Sequence, residues 1–133
     1  MELEYTVDDG ERIIHARVAG PFDREAFLDM LERMRAEGTW TYGALLDLRA
    51  LTSLPSFDDL RQIAHAATRT DPERQRRGPL AILTGDASLF GMACTYAAMS
   101  TARDVDVFSD ASHADLWLLM RAPTAAREGS MLR

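Results

Sequence analysis

Residues 44–48 read Ala44-Leu45-Leu46-Asp47-Leu48, a nearly unbroken apolar run with no alternation. A strand with one wet face alternates apolar and polar side chains, so a run like this is expected of a strand covered on both faces. Leu80-Ala81-Ile82-Leu83 repeats the pattern. Between them, Ser56-Phe57-Asp58-Asp59 resembles a capping box with Asp59 in the place of the usual Glu or Gln. Behind it Leu60, Ile63, Ala64 and Ala67 fall at helical spacing, and Asp71-Pro72 ends that helix. Buried strands that alternate with helices predict parallel pairing through right-handed crossovers.

Upstream, Leu3, Tyr5 and Val7 share one face of a first strand, with Glu2, Glu4 and Thr6 on the other. Asp9-Gly10 predicts a tight hairpin turn. Residues 12–19 place Ile14, Ala16 and Val18 on one face of a second strand, ended by Gly20-Pro21. Residues 23–37 predict a helix capped by Asp23, with Phe27, Met30, Leu31 and Met34 in its apolar stripe and Gly38 at its end. Downstream, a third helix is expected over about residues 88–101 and a last strand at Val105, Val107 and Phe108. A final helix carries Ala114, Trp117 and Leu118, capped by Ser109 or Asp110. The order is β-β-α-β-α-β-α-β-α: an α/β domain with a single mixed, mostly parallel sheet, a leading antiparallel hairpin and helices packed on it. The domain is expected over residues 1–121, with 122–133 as a flexible tail.

At 133 residues the chain fits one domain and is too short for two ordinary ones. Its formal net charge of −6 disfavours a phosphate-backbone binder and an anionic membrane surface. All 15 cationic side chains are Arg, and Lys and Asn are absent, as a GC-rich bacterial genome would give. A single cysteine, Cys94, excludes an internal disulfide and fits a reducing cytoplasm. The acidic start, Met1-Glu2-Leu3-Glu4, is unlike a signal peptide, and no apolar run has the ~18 residues of a transmembrane helix.

This order, and the residues that punctuate it, resemble the SpoIIAA-like branch of the STAS domain family, whose fold is also compared with the lipid-binding CRAL-TRIO fold. The resemblance runs over residues 2–121. It is carried by Val18-Ala19-Gly20, Leu45-Leu46-Asp47-Leu48-Arg49, Leu80-Ala81-Ile82-Leu83, and the closing Val107-Phe108 through Ala114 to Trp117-Leu118. These are core and turn residues, so they speak for fold before activity. Anti-sigma-factor antagonists of the wider family carry an Asp-Ser-Ser-Gly-type motif after the third strand, with one Ser phosphorylated. Here Leu51-Thr52-Ser53-Leu54-Pro55-Ser56-Phe57-Asp58 stands in its place. The departure argues against partner switching by phosphorylation at this loop.

Ser56 reads two ways. As an N-cap it satisfies helix amides; as an anion or phosphate site it would use the same free donors. The cap reading is favoured, because Asp58 and Asp59 would repel a phosphate. Ser53 stands in the same loop. Arg49 ends a central strand, where open α/β sheets place ligands, and with Asp86 and Ser88 nearby it would make a shallow anion site. Its competing reading is an ion pair with Asp47 that orders the loop.

The third helix has no charged residue between Ser88 and Thr101. Leu89, Met92, Tyr96 and Met99 make one apolar stripe, and Phe90, Ala93, Cys94 and Ala97 a second. Either other elements of the chain cover it, or it meets a second subunit, or it covers an apolar ligand or lipid. The stripe from Leu89 to Met99 is taken as the candidate interaction surface. Cys94 reads as a small core thiol. Arg69, Arg74, Arg76 and Arg77 read as a solvated basic loop. His15, His65 and His113 lie on different elements, so no metal is expected. No catalytic or cofactor fingerprint appears. Two readings follow: a non-catalytic regulatory or interaction domain working as a homodimer or with a protein partner, and a module that binds a small apolar ligand or lipid under the third helix.

Overall fold

A computed structural model describes residues 1–67, 77–100 and 103–121. The elements are β1 (Glu2–Asp8), β2 (Ile13–Gly20), α1 (Arg24–Ala36), β3 (Gly43–Leu51), α2 (Phe57–Ala67), β4 (Leu80–Leu83), α3 (Ala87–Met99), β5 (Val105–Phe108) and α4 (Ala111–Arg121). They form one five-stranded sheet in the order β1-β2-β3-β4-β5, with β1 antiparallel to β2 and every later pair parallel. The expected α/β class and element order hold. The expected tail at 122–133, the Arg69, Arg74 and Arg76 part of the basic run and the Asp71-Pro72 helix end lie outside the described residues.

Sequential strand order and right-handed crossovers together fix the layers. Three successive crossovers that step in the same direction must carry α1, α2 and α3 over the same face. The larger core joins these helices to Ile14, Ala16 and Val18 of β2 and Leu46 and Leu48 of β3. Among the described helices α4, after the last strand, packs on the other face, where Ala114 and Leu118 meet Ile13, Leu45, Ala81 and Leu83. Phe108 and Trp117 seal that layer, their ring centroids 5.7 Å apart. Pairing in β2–β3 slips between Arg17 and Ala19, where β3 spends one more residue than β2. Such a bulge flips the alternation, which is how Leu51 joins the same core as Leu46 and Leu48.

The hairpin register pairs Leu3 with Val18, Tyr5 with Ala16 and Val7 with Ile14, the facing apolar sets read from the sequence. Its turn differs from expectation. Asp8 pairs with Ile13, so the connection is residues 9–12, and the left-handed residue is Arg12 (φ 55°), not Gly10. Helix starts follow the sequence closely. Asp23 accepts from the amides of Glu25 and Ala26. Asp110 accepts from those of Ser112 and His113.

Candidate functional site

Parallel strands gather their carboxyl ends along one edge, and there the loops after β3 and β4 meet. Residues 51–54 and 86–89 enclose a shallow cleft that contains Ser53, Asp86 and Ser88. Arg49 and Ser56 do not line it. Arg49 is turned onto Asp47 in a forked pair: Nε donates to Oδ1 at 3.0 Å and Nη2 to Oδ2 at 2.9 Å. The Arg49 amide also donates to Oδ1. Burial alone would raise the Asp47 carboxyl, but the Arg49 hydrogen bonds outweigh it and hold the group below its ordinary range.

Two serine hydroxyls of this edge are likewise committed. Ser56 Oγ accepts from the Asp59 amide at 3.0 Å, and Asp59 Oδ2 accepts from the Ser56 amide at 2.9 Å. This is a reciprocal capping box, reinforced by Arg24 reaching Asp59 at 3.3 Å. Ser53 Oγ accepts from the Phe22 amide and so ties the β2–α1 connection to this loop. Asp86 caps α3 through the Leu89 amide at 2.8 Å. Among the described residues no cation lines the cleft, and a carboxylate does. The anion site expected from Arg49, Ser53, Ser56, Asp86 and Ser88 is therefore not assembled. Arg49, Ser53, Ser56 and Asp86 shape loops and helix starts.

Among its exposed polar residues this edge also leaves large apolar side chains in water. Leu54 is 50% exposed, Phe57 62% and Phe90 40%. Leu54 and Phe57 flank the capping box, and Phe90 stands in the first turn of α3. Two large rings and a leucine left in water are a poor use of apolar surface unless something covers them.

The stripe assigned to an interaction surface on α3 is corrected by the structure. Leu89 (3% exposed) and Tyr96 (8%) are buried, and Met92 and Met99 pack half-buried against the main core. This is the face that seats α3 on the sheet. The open face carries Phe90, Gly91, Cys94, Thr95 and Ala98, so Cys94 is exposed and not a core thiol.

Sequence reasoning missed a feature at the opposite, amino-terminal end of the strands. Arg77 and Arg103 are both buried, at 8% and 7% exposure, where Arg77 was expected in a solvated loop. Arg103 lies just before β5. Its Nε donates to the Gly78 carbonyl, and its Nη2 to those of Pro79 (3.1 Å) and Tyr42 (3.4 Å). Arg77 stacks over Trp40 at 3.9 Å and donates through Nη1 to the Ala67 carbonyl at the end of α2. Among the described residues its Nε is buried without a hydrogen-bond partner. Both line an apolar cavity of about 70 Å³ between the sheet and α1–α3, with Met30, Met34, Met92 and Tyr96 also in its wall. Burial pushes the Arg77 guanidinium down to about 10 and that of Arg103 well below its ordinary value, where Arg77 adds repulsion.

Neither a protein-family model nor a curated protein matches this sequence. Solved structures do. One is an uncharacterized DUF3478-family protein with a SpoIIAA-like fold from Shewanella loihica PV-4, at 14% identity and a TM-score of 0.62, over 87% of this chain and 93% of that one. The fold is SpoIIAA-like. An anti-sigma factor antagonist from Mycobacterium paratuberculosis also matches, at 15% identity and a TM-score of 0.54, over 88% of this chain and 94% of that one. At this identity the likeness speaks for the SpoIIAA-like fold alone, and function must be argued from this chain's own surfaces. Among the described residues no helix is long and apolar enough to cross a membrane.

Proposed function

We propose that this SpoIIAA-like chain is a non-catalytic regulatory domain of the cytoplasm that acts by docking a protein, either a partner or a second copy of itself. The observation that carries the reading is the exposure of Leu54, Phe57 and Phe90 on the edge where the loops after β3 and β4 meet. The anti-sigma factor antagonist among the structural neighbours supports a regulatory role of this kind. Several polar groups of that edge are used internally, and three large apolar side chains are left for a partner. Phe57→Asp and Phe90→Asp each place a carboxylate on an already exposed position and leave the core untouched. In size-exclusion chromatography with light scattering, and in co-purification from the native host, both variants should lose the assembly of the wild type while keeping its melting temperature. Unchanged assembly in both variants sinks this surface. Tyr96→Asp is no substitute for them, because it charges the core.

A second reading, a small apolar ligand held under α3, is favoured by the cavity itself. Methionines in its wall can shift to admit a guest.

A further inference from the structure

The geometry points to a small carboxylic acid as the guest of the core cavity, its carboxylate on Arg77 and Arg103 and its apolar body among the methionines. This rests on the second reading above, that the cavity takes a ligand, and adds the ligand's charge and size. The cavity wall is almost wholly apolar, yet two guanidiniums border it. Neither makes an ion pair with a carboxylate among the described residues. An unpaired buried cation is costly and an adjacent anion offsets that cost. Arg103 gives Nε and Nη2 to three carbonyls and is held rigidly by them, so it would meet the guest through its charge. Arg77 does not: stacking on Trp40 fixes its plane while its Nε has no partner among the described residues. An oriented guanidinium with an unused N–H matches a carboxylate oxygen. The Tyr96 phenol is buried beside both, and their charges oppose the upward push that burial gives it.

Size sets the rest of the guest. A cavity of 70 Å³ is about half the ~150 Å³ that admits benzene. An acid of about four to six carbons is larger than that, so it enters only as Met30, Met34 and Met92 move aside. A longer acyl chain, or a lipid with two, would have to open the core.

The test compares hexanoate with hexan-1-ol on the full chain, by calorimetric titration and by melting temperature. Hexanoate should bind at least about tenfold more tightly than the alcohol, because only the acid meets the guanidiniums with charge. From butanoate to hexanoate, affinity should rise about fourfold per methylene, then level off by octanoate. Arg77→Met keeps the stem and removes the charge, so it should erase the preference for the acid. If that variant does not fold, the acid and alcohol comparison on the wild type decides alone. Equal binding of acid and alcohol overturns the carboxylate assignment and leaves the apolar-ligand reading standing. No binding of either overturns both. A preference for the acid that survives in folded Arg77→Met places the anion elsewhere and overturns the site.

Discussion

At the carboxyl ends of β3 and β4, most polar contacts are between neighbours two or three residues apart, Arg49 with Asp47, Ser56 with Asp59 and the Leu89 amide with Asp86, and the ties of Ser53 to Phe22 and of Asp59 to Arg24 add to them. At the amino ends the polar contacts are long. Arg103 reaches Gly78 and Tyr42, which are 25 and 61 residues away in sequence, and Arg77 reaches the end of α2. The first end is a set of mostly local turns and caps that leaves apolar side chains facing water. The second is a buried clamp that joins the entries to β3, β4 and β5. One can be altered piece by piece; the other answers as a unit. For function, the open end suits a partner that comes and goes, and the closed end suits a guest that becomes part of the core.

The sharpest way to break the closed end is Gly78→Ala. A methyl there would run into the carbonyl oxygens of Thr41 and Tyr42, which are backbone and cannot swing away. The Gly78 carbonyl also anchors Arg103. Overpacking against backbone costs about 3 kcal/mol, enough to remove much of a small domain's stability. Gly91→Ala is the counterpart on the open face of α3. No atom lies within 4 Å of the added methyl, so the change should stabilise by roughly 0.5–1 kcal/mol through helix propensity. Urea unfolding of both variants measures the contrast. Equal and small effects would mean that the clamp is loose.

Sequence separation also explains what the sequence did and did not disclose. The Asp23 cap, the Ser56–Asp59 box and the facing sets of the β1–β2 hairpin are contacts between near neighbours or fixed by alternation, so pattern and spacing reveal them. The hairpin turn was misplaced because Asp9-Gly10 suits a two-residue turn, while the register leaves four residues in the connection. On α3 the spacing finds two apolar stripes, but with no charged residue nothing says which one faces water. The choice falls to packing, which buries Leu89 and Tyr96 and leaves Phe90 and Cys94 outside. Arg77 closes a run of arginines and looks solvated for that reason; its burial depends on Trp40 and the end of α2, which no local pattern links to it.

At the open end the expected effects are smaller. Ser56→Ala removes the side chain that accepts from the Asp59 amide and frees Asp59 from its reciprocal bond. Loss of an N-cap costs about 1 kcal/mol. The cost should be local: α2 frays at Phe57 while the clamp around Arg103 is untouched. Hydrogen exchange should therefore speed up at the first amides of α2 and stay slow in β4. Accelerated exchange in both places would show that the two ends are coupled and would undo the distinction drawn between them.

The smallest effect belongs to Asp47, and its sign is fixed by linkage. The folded protein holds this carboxyl below its ordinary 3.8 because the Arg49 hydrogen bonds outweigh burial. A group whose folded pKa is depressed binds fewer protons folded than unfolded, so its contribution is present above the unfolded value and is lost as pH falls through the folded one. Arg49 is half exposed, and water screens the pair. Asp47→Asn should melt slightly below the wild type at pH 6, and the gap should close as the pH drops below 3.8. A gap that persists unchanged into acid would assign Asp47 a packing role in place of an ionic one. The same acid titration should leave the clamp intact, since arginines remain charged throughout that range. Acid therefore loosens the open end first, and the order in which the two ends respond is itself the measurement.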